Sequence, residues 1–346
     1  GDWKQAAKMN QTRQYPGLAR LPDGRILAVT GHPLGGKSLA SAEIYDPKQD
    51  RWTATGSLDV PRNGVQPGGL IVLANNKILI CGSGSGSRSV HEAELFDPAT
   101  QTWSLTDAMS VPRCVHTSTL LDDGRVLVTG GIDWSTNQVH ATAETFDPIN
   151  AEWNPAGTMT VARWNHRALR LHDCRVLVVG GASSESGADD ILAEVEIFDP
   201  KTNTWSIVNP MRQARRALGA VVLSDGRALV VGGKSATNKP LSECEFYDPK
   251  SNQWADAASL TEARWGPSVS LLGNGNVLVV AGMSGRFGRS KSAEIFDSEN
   301  GTWVSAGQLQ NRRNGHRAIM LDNGNVLIVG GFSGINYLSS CELYIP

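Results

Sequence analysis

The chain holds 346 residues, with 32 Lys and Arg against 34 Asp and Glu, a formal net charge of −2. No charge block offers an electrostatic footprint for nucleic acid or an anionic bilayer, and no run of 18 apolar residues provides a membrane-spanning helix. The 37 glycines, with abundant Val, Leu and Thr and 10 Trp, favour many short strands joined by tight turns.

Asp2-Trp3-Lys4 opens the chain as a strand without a local partner, and a repeat then runs to the end. Trp recurs at Trp3, Trp52, Trp103, Trp153, Trp205, Trp254 and Trp303, at steps of 49 to 52. Ten residues after each comes an Arg: Arg13, Arg62, Arg113, Arg163, Arg215, Arg264 and Arg313. Eighteen residues further, or twenty in the second unit, stands a Gly, and then a Glu: Glu43, Glu94, Glu144, Glu196, Glu245, Glu294 and Glu342. Each unit reads as four strands. In the third, "TSTLL" meets an Asp123-Gly124 turn, "VLVTGG" is the buried second strand, a third strand ends at Asp147-Pro148, and the fourth carries Trp153. The Asp-Gly and Asn-Gly steps supply the positive φ that a tight hairpin demands. Because the last unit stops at "CELYIP" without a Trp, Trp3 is expected to complete it and close the ring. Length alone suggests about two domains, but the unbroken period points to one, residues 1–346.

This pattern, a glycine pair followed by spaced aromatics at a period near 50, resembles the Kelch repeat. The resemblance implies an all-β fold: a seven-bladed Kelch-type β-propeller with four antiparallel strands per blade, closed by the N-terminal strand in the last blade. The five cysteines read as free, small core side chains, since Cys244 and Cys341 stand where other units have Ala42, Ala93, Ala143 and Ala293. A removed leader upstream of Gly1 is compatible with this, so a secreted or periplasmic location is slightly favoured over the cytoplasm.

Residues present in all seven units serve the fold, so the Arg and Glu ladders are expected to pair within or between blades. Function belongs where symmetry breaks. The stretch from second Gly to Glu varies from 11 to 15 residues, which places the variable loops, and the site, on one face. The residues after each Arg form its floor. The catalytic candidates there are His166, His316, Tyr15, Arg167 and Arg317; the ligand-binding candidates are Trp164, Asn165, Trp265, His116, Arg216, Trp134 and Asn314. Upper loops add His32, Glu185, Asp189, Asp190, Lys234, Arg286, Phe287 and Tyr337.

Aromatic faces with Arg and His suit a glycan or an anionic ligand, and equally a protein hot spot. The expected function is therefore a binding module for a glycan or protein on the variable-loop face, with no nucleic-acid partner, no membrane, and a monomeric state. The alternative is a carbohydrate-active enzyme, a lyase or epimerase on an acidic sugar. Arg167 and Arg317 would hold the carboxylate while His166, His316 or Tyr15 moved protons. Some seven-bladed propellers are such lyases and one Kelch family epimerises sialic acid, an analogy of fold only. A purely structural ring is a third possibility. The segment from Val111 to Gly131 is similar to one blade of galactose oxidase, where a Tyr-His pair after the Arg binds copper. Val115 stands in the Tyr position beside His116, so neither metal nor other cofactor is expected.

Overall fold

The computed structural model describes residues 1–33, 35–185, 190–285 and 288–346. Seven four-stranded antiparallel sheets form, one per repeat, and the described residues contain no helix. Blade 4 is typical, with strands Arg167–Arg170, Val176–Val179, Val195–Asp199 and Thr204–Val208 in that order from the centre outward. The second strand is buried along its whole length in every blade. Both of its faces are covered by neighbouring blades, which is why these strands read as unbroken Val, Leu and Ile rather than alternating.

The hairpins between first and second strands differ from the expectation in one detail. Gly24 has φ +83°, but Asp23 stays in the ordinary region. Gly24 N–H donates to Leu21 O at 2.9 Å, and Asp23 Oδ1 accepts the Arg25 amide at 3.0 Å. The Asp therefore acts as a turn-closing acceptor and only the glycine supplies left-handed backbone.

Closure follows the predicted route. The strand Asp2–Ala6 pairs with Cys341–Ile345 in the register Trp3 to Tyr344, joining Arg317–Met320 and Val326–Val329 as blade 7. The Trp ladder explains its own spacing. Each Trp tilts against the aromatic opposite it on the third strand at 5.0–5.2 Å, as in Phe198–Trp205 and Tyr344–Trp3. Every ladder indole except that of Trp103 then bonds the preceding blade: Trp205 Nε1 donates to Ala156 O at 2.8 Å and Trp52 Nε1 to Ala7 O at 3.0 Å.

Seven ion pairs, 2.5–3.0 Å long, join the Arg and Glu ladders inside each blade, and every one of these Arg side chains is completely buried. In blade 4, Arg163 Nη2 donates to Glu196 Oε1 while Nη1 donates to the carbonyls of Gly180 and Glu194. The same carboxylate accepts the amides of Thr160 and Val161, which belong to the incoming linker. One pair thus ties the linker to the second and third strands at once.

Two outcomes follow. Deleting residues 1–8 exposes the Cys341–Ile345 edge, and urea unfolding should show a loss of several kcal/mol or outright aggregation. Glu196→Ala leaves Arg163 buried without its counter-charge, for an expected cost of about 3–5 kcal/mol by the same measurement.

Candidate functional site

The linker residue two after each ladder Arg sits in the left-handed region in all seven blades. Glycine takes it at Gly64, Gly266 and Gly315; Tyr15, Val115, Asn165 and Ala217 adopt it with φ between 50° and 58°. Interblade backbone bonds hold several of these residues in place. Asn165 N–H donates to Val115 O, Ala217 N–H to Asn165 O, Gly266 N–H to Ala217 O, and Tyr15 N–H to Gly315 O, at 2.6–3.1 Å. These backbone bonds run along the rim of the central funnel and offset the strain of the non-glycine residues at positive φ. The second glycine of the pair lets this rim sit flush. Gly181 has φ +100°, and a Cβ there would lie 2.7 Å from Trp164 O and 3.0 Å from His166 Cβ.

The funnel encloses about 610 Å³ on the variable-loop face. Tyr15, Trp164, Asn165, Arg167, Trp265, Asn314, Arg317 and Trp134 line it, with His316 contributing to the wall. His166, His116 and Arg216 do not line it. Arg216 lies over the Trp164 ring at 5.3 Å, and Trp134 meets Trp164 edge-on at 5.4 Å. Lys234 lies over Trp265 at 5.4 Å, and His32 stacks on Tyr337 at 6.1 Å. Glu185 is exposed and Asp190 bonds Ser184, so neither reaches the funnel. Asp189, Arg286 and Phe287 lie outside the described residues.

The histidines stitch blades together, and of the three only His316 also reaches the funnel wall. His166 is 0% exposed, and its Nε2 is 3.0 Å from both Thr117 Oγ1 and Thr129 Oγ1 of the preceding blade. His316 Nε2 is 3.0 Å from Ser268 Oγ, and His116 Nε2 faces Cys81 Sγ at 3.9 Å. Burial, then the neighbouring Arg163 and Arg167, hold His166 well below the ordinary 6.5. Burial and then Arg313 do the same to His316, while burial and Arg113 push His116 down to about 3. Histidines so buried that they resist protonation are poorly suited to carry protons, His166 most of all since it has no solvent contact. The expected acid–base role for His166 and His316 thus meets a physical obstacle that sequence position could not reveal.

The arginines do what the histidines do not. Arg167 and Arg317 occupy the same position, at the start of the first strand, in blades 4 and 7. Arg167 Nη1 donates to Gln66 Oε1 at 2.9 Å; Arg317 Nη2 donates to the Val65 carbonyl, and its guanidinium lies 5.5 Å from the Tyr15 ring centre. Among the described residues, no Asp or Glu lines the funnel. Burial pushes Arg167 down to about 10; burial and then the charge of Arg167 push Arg317 down to about 9. Both remain cations at neutral pH, held together with no carboxylate between them.

Val65 and Gln66 were not singled out by the sequence as anchors of this pair. The signal was present, because Arg62 to Gly82 is twenty residues where every other blade has eighteen. The two extra residues carry the blade 2 linker into the funnel mouth.

A family model described as the attractin/LZTR1 β-propeller matches residues 26–290. The chain belongs to that family. Among its relatives are human Kelch-like protein 34, 32% identical over 33% of this chain and 18% of that one, and Limulus polyphemus alpha-scruin, 27% identical over 38% and 15%. The chain thus spans well under a third of the length of these curated relatives. Among solved structures, a fungal alcohol oxidase of the AA5 family in complex with copper superposes at a TM-score of 0.79, with 15% identity over all of this chain and 76% of that one. YjhT superposes at 0.62, with 16% identity over 82% and 95%. Both likenesses are of fold. The residues at hand do not fit copper: Val115 has no donor, His116 is buried against Cys81, and among the described residues no three His, Cys, Asp or Glu side chains converge.

The histidine burial has a pH consequence. Between their lowered folded values and the unfolded 6.5, the unfolded chain binds more protons, so stability falls as pH drops below about 6.5. Urea unfolding at about pH 6 and 5 should show a slope reduced in His166→Asn by up to about 1.4 kcal/mol per pH unit. An unchanged slope would mean that His166 titrates normally.

Proposed function

We propose that this Kelch-repeat propeller is a binding module whose ligand, a glycan or a protein segment, presents a carboxylate to Arg167 and Arg317 in the funnel. One observation carries the reading: two partly or largely buried guanidiniums, Arg167 and Arg317, line one concave site that no acid among the described residues lines. Planar guanidiniums in a desolvated site favour carboxylates strongly, because charge-assisted bonds are about twice as strong as neutral ones. Trp164 and Trp265, each backed by a cation at 5.3–5.4 Å, supply flat apolar walls above the pair. Such walls suit sugar rings or the side chains of a bound peptide. Repeats of this kind in the relatives support a binding role, and the asymmetric placement of the arginines supports the funnel as its seat. The enzymatic alternative has less behind it, since of the proton-bearing candidates His166 does not line the cavity and His316, which does, is held well below its ordinary pKa by burial.

Titration calorimetry with oligogalacturonate, with its neutral methyl ester and with an acidic peptide tests the proposal. An acidic ligand should bind, and Arg167→Ala or Arg317→Ala should weaken it about 10- to 100-fold. Trp164→Ala and Trp265→Ala should cost about 1–2 kcal/mol each. If no carboxylate ligand binds the wild-type funnel, the reading fails. Release of an unsaturated product from the oligomer would instead favour the lyase.

A further inference from the structure

The two arginines are not empty-handed, and what they hold carries the inference. Besides the carbonyl of its own preceding residue, His166 or His316, each takes a partner from one dipeptide in the blade 2 linker: Gln66 Oε1 on Arg167 and Val65 O on Arg317. Both are neutral oxygens, so they satisfy hydrogen bonds without cancelling charge. Arg317 Nε remains a buried donor with no acceptor among the described residues. A carboxylate entering the funnel would compete with Gln66 for the Nη1 of Arg167.

The backbone that presents these oxygens is fixed by local chemistry. Gln66-Pro67-Gly68-Gly69 forms a turn in which Gly69 N–H donates to Gln66 O at 2.9 Å, with Gly68 at φ +77°. Pro at the second position and a positive-φ Gly at the third are what such a turn prefers. Gly69 cannot carry a side chain, since a Cβ would lie 2.5 Å from Val65 Cγ1. Val65 itself is 2% exposed and packs in the cluster with Leu70 and Leu58. The Val65 carbonyl is therefore rigid. The Gln66 side chain is half-buried, and can leave Arg167 by rotating about its own bonds.

We propose that Gln66 is the selectivity residue of the funnel, an internal neutral occupant of the anion site that a ligand's carboxylate must displace. This rests on the binding reading above. The exchange explains how charge is selected. A neutral ester, amide or hydroxyl replaces one neutral hydrogen bond by another and gains almost nothing, having also lost the tethered competitor's high effective concentration. A carboxylate replaces a neutral acceptor by a charged one and gains the difference. Gln66 thus sets a threshold that acids pass and their esters do not.

The experiment uses Gln66→Glu, Gln66→Ala and Arg167→Met in the full chain. In Gln66→Glu the occupant becomes an anion. Its thermal midpoint at pH 7 should rise by about 2 °C or more, the gain should vanish near pH 3, and it should be absent in the Gln66→Glu/Arg167→Met double variant. A midpoint unchanged or lowered at pH 7 overturns the proposal, whatever any ligand does. With oligogalacturonate as probe, Gln66→Glu should lose binding at least tenfold. Gln66→Ala should bind the acid more tightly and bring its methyl ester to within about tenfold of it. Discrimination retained in full by Gln66→Ala also overturns the proposal. If wild type and Gln66→Ala both ignore the oligomer while Gln66→Glu is stabilised, uronate is not the ligand, and Gln66 stands as occupant of an anion site for another carboxylate.

Discussion

A buried guanidinium with three acceptors underlies this molecule. In each blade the ladder Arg donates to two backbone carbonyls and one carboxylate, and that carboxylate also accepts amides from the linker. Taking both charges out of water costs several kcal/mol per ion, so net stability is not the main return. The return is register. A planar fork with fixed directions sets where the linker crosses the top of its blade, to within a hydrogen-bond length. Everything beyond inherits that placement: the left-handed residue two positions on, the interblade backbone bonds, and the start of each first strand.

Against that background the molecule uses arginine in two opposite ways. Arg163 and its six counterparts have a dedicated glutamate and no solvent contact. Arg167 and Arg317 lie four residues after a ladder Arg, are less completely buried, and are met only by neutral oxygens. The first group spends its charge inside the fold; the second leaves positive potential in a concave, weakly solvated space, where it acts on whatever enters. Tyr15 adds a ring to Arg317, and burial raises its phenol above the ordinary value, so it stays neutral beside that cation.

The insertion in blade 2 gives these two cations neutral partners in Val65 and Gln66. A ring of seven similar units favours no direction, and a small ligand needs one. Arg167 and Arg317 supply two poles, and Val65–Gln66 joins them through a turn built on Pro67 and Gly68. Trp164 and Trp265 each have a cation overhead, Arg216 and Lys234 respectively.

The blades, their order and the closure by Trp3 could be read directly from spacing, because each ladder residue acts within one repeat or on the next and so leaves a fixed interval in the chain. The pairing of the Arg and Glu ladders was legible for the same reason, as was the face carrying Tyr15, Arg167 and Arg317. Tertiary structure alone decided which way neighbouring side chains point. His166 and Arg167 are adjacent, yet one turns into the blade interface to meet Thr117 while the other turns into the funnel, since successive strand residues face opposite sides. Only the closed ring could bring Gln66 to Arg167 and Val65 to Arg317, 101 and 252 residues apart. Those contacts cross the centre of the disc instead of running along the repeat, so no periodicity records them.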